Sequence, residues 1–106
     1  MMKINPDHMR AQASKASTLL NAMSNDKRLM ILCQLIDGER TVNDLAERLD
    51  ARQSTISQHL ALLRKDGFVQ PRRDGQAQYY SLAGNEARSI LETLYSLYCQ
   101  TSTEDG

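Results

Sequence analysis

No apolar run in the sequence approaches the ~18–20 residues that a membrane-spanning helix needs. Its first residues, Met1-Met2-Lys3-Ile4-Asn5-Pro6, have no apolar leader core, so a cytoplasmic location is expected. Cysteine is scarce. Two cysteines without a secretory leader argue against a disulfide-stapled scaffold. Net charge is absent too, thirteen Lys and Arg being matched by thirteen Asp and Glu. Repeats, low-complexity tracts and an interdomain linker are missing as well. These absences disfavour a secreted toxin, a membrane protein and an enzyme with a large pocket. What is present, 41% apolar and 25% charged residues over 106 positions, fits one small soluble domain. A chain of this length buries only roughly 60–70% of its unfolded surface, so a second copy helps complete the core.

The neutral total conceals an uneven distribution. Residues 1–51 carry seven charges of each sign. Residues 52–82 carry Arg52, Arg64, Lys65, Arg72 and Arg73 against Asp66 and Asp74, a balance of +3. Residues 83–106 carry Arg88 against Glu86, Glu92, Glu104 and Asp105, a balance of −3. A basic middle segment suits an anionic partner, although a solvated mixed face fits the charge pattern equally well.

Periodicity supplies the organisation. Asn5-Pro6 is a helix cap followed by a proline at the first helical position, and Met9, Ala13, Ala16, Leu20 and Met23 recur at helical spacing. A first helix over about 6–22 follows. Ser24-Asn25-Asp26 can cap a second helix, with Leu29, Leu32, Cys33 and Ile36 on one face and Gly38 at its end. Thr41-Val42-Asn43-Asp44 resembles a capping box and opens a short third helix through Val42, Leu45, Ala46 and Leu49. A fourth helix runs over about 53–65 with Ile56, Leu60 and Leu63 inward, and Gly67 closes it. Residues 68–73 and 76–82 then flank Asp74-Gly75, a pair favoured in two-residue hairpins. That turn sets Val69 opposite Tyr80, and Pro71, which has no N–H, requires its strand to have a free side. A last helix from about 85 carries Ala87, Leu91, Leu94, Tyr95 and Tyr98 and ends near Cys99. The tail 101–106 has nothing to bury and is expected to be loose.

The pattern predicts a mainly α fold with one small β-hairpin: five helices, the hairpin lying between the fourth and fifth. Two short helices, a three-residue turn and a hairpin with basic residues beside its tip describe a winged helix-turn-helix. The first and last helices each keep an apolar stripe, and pairing them across a two-fold axis would make a dimer with two reading helices. On the fourth helix Ser54, Gln58, Ala61 and Lys65 fall opposite the inward stripe, flanked by Gln53, Thr55, Ser57 and Leu62. Short polar side chains near a helix N-terminus suit base edges, and the amide of Gln58 suits adenine. Arg64, Lys65, Arg72 and Arg73, with Gln76 at the hairpin tip, suit phosphates or a minor groove. The plain alternative is that these polar residues only solvate a helix. His59 lies beside the inward stripe, where packing or a phosphate contact is favoured over metal ligation. Met9, Met23 and Met30 read as core filler.

Arg28-Leu29-Met30-Ile31-Leu32, Ser57-Gln58-His59-Leu60-Ala61-Leu62-Leu63-Arg64, Gly67-Phe68-Val69, Arg73-Asp74-Gly75 and Tyr80-Ser81-Leu82 resemble the ArsR (SmtB/ArsR) transcriptional regulators. The resemblance covers about residues 15–100 and implies a homodimer bound to an inverted-repeat operator on double-stranded DNA, without enzymatic activity or cofactor. Arg52 departs from the pattern, where the family often has a small capping residue.

Metal-sensing members of that family use cysteine pairs on the third helix or Asp/His sets on the last. Here residues 42–49 contain no Cys, residues 85–100 contain no His, and His8 and His59 are the only histidines. Cys33 and Cys99, in Leu32-Cys33-Gln34-Leu35 and Leu97-Tyr98-Cys99-Gln100, resemble the paired cysteines of the persulfide-responsive branch that includes the BigR, SqrR and HlyU regulators. The resemblance implies a repressor released when reactive sulfur species bridge the two thiols. Two inert cysteines, a metal sensor, a general redox or peroxide sensor, and a HlyU-like activator displacing a silencer at virulence promoters are the competing readings.

Overall fold

The structure, a computed structural model, describes residues 2–99. The tail expected to be loose, 101–106, lies outside them. Helix α1 (Pro6–Ala22) starts where the Asn5 carboxamide accepts the N–H groups of Asp7 at 2.9 Å and His8 at 3.4 Å. Asn25 does the same for α2 (Asp26–Gln34), accepting from Lys27 and Arg28. This helix ends four residues before Gly38, the expected stop. Its last turn tightens to i→i−3 bonds from Leu35 and Ile36, and side chains from elsewhere take the carbonyls beyond them. The Arg40 guanidinium donates to the Gln34 carbonyl at 2.7 Å, and Arg88 donates to the carbonyl of Ile36.

A strand absent from the sequence reading follows. β1 (Arg40–Thr41) pairs antiparallel with the hairpin, so the β element is a three-stranded sheet rather than a two-stranded wing. Thr41 then caps α3 (Val42–Leu49), its hydroxyl accepting from the Asp44 N–H at 3.1 Å. Asp50 adopts the left-handed region, φ +52°, to turn the chain towards α4 (Gln53–Lys65). Arg52 is the N-cap residue of α4 and makes no side-chain capping bond, as its length and charge dictate.

The hairpin strands are β2 (Val69–Asp74) and β3 (Ala77–Leu82), in the sheet order β1-β3-β2. The two-residue loop is Gly75-Gln76, not Asp74-Gly75, so Val69 faces Leu82 instead of Tyr80. Gly75, φ +65°, occupies the first loop position, where a type II′ turn takes its glycine. The two-residue change of partner leaves every side chain on its expected face, because strands repeat every two residues. Pro71 lies on the outer strand, as its missing donor requires. The Ala83 N–H bonds to the Phe68 carbonyl, so bonded pairs fall at even positions of β2 and Pro71 faces the free edge.

Helix α5 (Asn85–Tyr98) closes the order. The core gathers Ile31, Leu32 and Leu35 from the α2 region, Leu45 from α3, Ile56, Leu60 and Leu63 from α4, Val69 and Leu82 from the hairpin, and Leu91 from α5. From α1 only its end joins this core, through Leu19, Ala22 and the cap residue Met23. The whole is a winged helix-turn-helix. Among the described residues no helix is long and apolar enough to cross a membrane.

Candidate nucleic-acid interface

Burial of Ile56, Leu60 and Leu63 fixes the rotation of α4 about its axis. With about 100° per residue, the opposite side must carry Ser54, Gln58, Ala61 and Lys65. All four are exposed, as are Gln53, Ser57 and Arg64. No acidic residue lies between Gln53 and Lys65. Arg64 and Lys65 occupy the last turn, where the helix dipole favours cations. Leu62 is exposed on the same stretch at 53%, an apolar contact surface among polar neighbours.

Some of the predicted residues are less open than their helix positions suggest. Gln53 donates its amide to the Asn43 carboxamide at 2.7 Å, tying the first turn of α4 to the first turn of α3. Asn43 thereby borders the exposed polar side of α4, although nothing in its own neighbourhood marked it. His59 is partly buried, and its Nδ1 is enclosed without a hydrogen-bond partner. Burial pushes the imidazole below its ordinary pKa, and the charges of Arg28 and Lys27 add to the effect. With Thr55, His59 lines an open cleft of about 670 Å³ that Lys27, Arg48 and Arg52 also border.

The wing separates its two arginines, since neighbours on a strand point to opposite faces. Arg73 shares the side of Tyr80 and approaches only the Gln78 amide oxygen, at 3.5 Å. Arg72 grips Glu39 with two bonds of 2.8 and 2.9 Å, and its guanidinium lies 5.1 Å from the centre of the Tyr79 ring. Gln76 is exposed at the tip. Sequence reasoning missed Glu39, which is 33 residues from Arg72 and has no local signature.

Away from this surface, Cys33 sits in the last turn of α2, partly buried against the core, and Cys99 caps the C-terminus of α5 and is exposed. Both are thiols rather than halves of a disulfide. They are near enough to interact electrically. Burial raises the Cys33 thiol above its ordinary pKa, and a negative charge on Cys99 raises it further.

The family profile described as "Bacterial regulatory protein, arsR family" matches residues 25–70, from the cap of α2 into β2. The chain is 44% identical over 99 residues to the transcriptional activator HlyU of Vibrio cholerae, covering 93% of this chain and 92% of that one. The chain belongs to the ArsR family. The structure of reduced HlyU from Vibrio cholerae superposes with a TM-score of 0.84 at 46% identity, covering 88% of this ArsR-family chain and 98% of that chain. The repressor BigR from Xylella fastidiosa superposes at 0.83 with 32% identity, covering 91% and 98%. A homodimeric winged helix-turn-helix DNA-binding domain from Mycobacterium bovis gives 0.75 at 28% identity, covering 97% and 95%. This ArsR-family protein is accordingly a DNA-binding transcriptional regulator. Among its described residues, no three of His, Cys, Asp and Glu converge as metal ligands.

Proposed function

We propose that this regulator is a repressor that binds an inverted-repeat operator as a homodimer and lets go when reactive sulfur species bridge Cys33 and Cys99. The observation that carries the DNA reading is the acid-free, exposed polar side of α4 lying in one unit with a basic wing. Ser54, Ser57 and Gln58 read base edges, and Arg64, Lys65, Arg72 and Arg73 meet phosphates. Gln53, Thr55, His59 and Gln76 border that contact. Dimerisation is supported by apolar side chains left open on α1 and α5: Leu20 at 55%, Leu97 at 65% and Tyr98 at 79% exposure.

The thiols supply the switch. Cys99 is exposed and Cys33 partly buried, so Cys99 is the thiol that the donor reaches first. Its thiolate takes the sulfane sulfur of a persulfide donor, releasing the donor's thiolate, and a second transfer lengthens the chain. The Cys33 thiol then gives up its proton and attacks the inner added sulfur, the outer sulfur leaves with a proton as hydrogen sulfide, and a trisulfide closes. Neither cysteine lies on α4 or the wing. The bridge instead ties α2 to the end of α5, which belongs to the proposed dimer contact, and changes the spacing of the two reading helices. A 100-fold loss of affinity needs only about 2.7 kcal/mol of preference between the two geometries.

Mobility shifts on the protein's own upstream region, with and without a persulfide donor, test the proposal. Cys33→Ser and Cys99→Ser are expected to bind like the reduced parent and to stay bound when the donor is added. Release of both variants by the donor would overturn the paired-thiol switch.

A further inference from the structure

The two wing arginines differ in one respect that their sequence positions do not explain. Arg73 has only a marginal contact at 3.5 Å, whereas Arg72 is held from two sides. Its Nε and Nη2 donate to the two oxygens of Glu39 at 2.9 and 2.8 Å. In the sheet, Tyr79 is opposite both Arg72 and Thr41, so the guanidinium crosses the Tyr79 ring to reach a carboxylate at the entrance to β1. A fork of two parallel N–H···O bonds is also how an arginine holds a phosphodiester.

We infer that Glu39 is an internal stand-in for a DNA phosphate, occupying Arg72 in the DNA-free protein and surrendering it when the backbone arrives. The inference rests on the wing's role in DNA binding. Engagement of Arg72 is then an exchange of carboxylate for phosphate. The guanidinium stays pre-aligned over Tyr79, so little side-chain freedom is lost on contact. Glu39, a third exposed on its side chain, returns to water when displaced. The exchange has a cost on every sequence, because a charge already neutralised releases fewer counterions from DNA. Glu39 therefore weakens binding to arbitrary DNA and leaves more of the total affinity to the base-reading side chains of α4.

A double-mutant cycle tests this on the full chain, with operator and unrelated duplex across a salt series. Glu39→Gln is expected to bind both duplexes about 3–10-fold more tightly at low salt, with a salt slope steeper by about 0.9, one phosphate's worth. Arg72→Gln should weaken both. In the Arg72→Gln background, adding Glu39→Gln should change affinity by less than about 2-fold. An undiminished gain in that background would mean that any lost acid has the same effect, and the exchange would be refuted. A loss of affinity in Glu39→Gln alone would refute it too, by making Glu39 a support for the wing. Elution from heparin, a polyanion without bases, repeats the cycle independently of any operator. A later elution of Glu39→Gln that requires Arg72 supports the exchange. A parent that binds no duplex fails the DNA reading and takes the exchange with it, whereas a parent that binds duplex while Glu39→Gln elutes unshifted refutes the exchange alone.

Discussion

Burial and the nearby charges of Arg28 and Lys27 both disfavour the protonated form of His59 in the folded protein. The unfolded chain takes up that proton near the ordinary value of 6.5. The unfolded state therefore binds more protons below that value, and stability falls as pH drops from about 6.5 through the lower folded pKa. The thermal midpoint of the parent should decrease between pH 7 and pH 5.5, and His59→Gln should flatten that segment. An equal slope in the variant would place the titration on another group. At the same scale, the two kinds of DNA contact separate by their dependence on sequence and salt. Gln58→Ala should erase preference at one base pair, by roughly 1–3 kcal/mol, while Arg73→Gln should weaken all duplexes and flatten the salt slope by about one. Binding to a panel of single-base operator variants distinguishes them. If Gln58→Ala kept its preference, the reading side of α4 would be misassigned.

Helices were legible where polar caps meet apolar periodicity. Asn5, Asn25 and Thr41 each accept backbone N–H groups at the position their residue types indicated. Thr41→Ala should lower stability by about 1 kcal/mol, moving the midpoint down by roughly 4–8 °C, which calorimetry resolves. A midpoint within 1 °C of the parent would mean that water replaces the hydroxyl without loss. The misses have physical causes. β1 has two residues, too few for an alternation to appear, and it exists because β3 offers it an edge. Asp74-Gly75 has the composition of a hairpin loop, yet the chain closes one residue later because a single left-handed position, Gly75, suffices there. The end of α2 depends on Arg40 and Arg88, donors that reach its carbonyls only after folding. The α4 side of the candidate site was readable for the same reason as the helix itself, a rotation of about 100° per residue. The partners of Gln53 and Arg72 were not, since Asn43 and Glu39 meet them only through tertiary structure.

At the scale of the whole molecule, α1 joins the core only through its end, and every residue from 2 to 15 is exposed. A lone 17-residue helix is marginal in water without packing. Pairing of α1 and α5 between two copies would cover Met9 and Leu20 together with Tyr95, Leu97 and Tyr98. Sedimentation at micromolar concentration should give a dimer, and Leu97→Asp with Tyr98→Asp should give a monomer of normal helicity. A monomeric parent would contradict the arrangement.

The position of Pro71 also bears on how one copy of the protein can meet another. Where two copies come side by side, long open strand edges would let their sheets join. One edge of this sheet offers only the two residues of β1. The other turns a ring without a donor outward at its middle, so an incoming strand would find a gap in the ladder there. Neither edge therefore offers a long template on which the sheet of a second copy could extend.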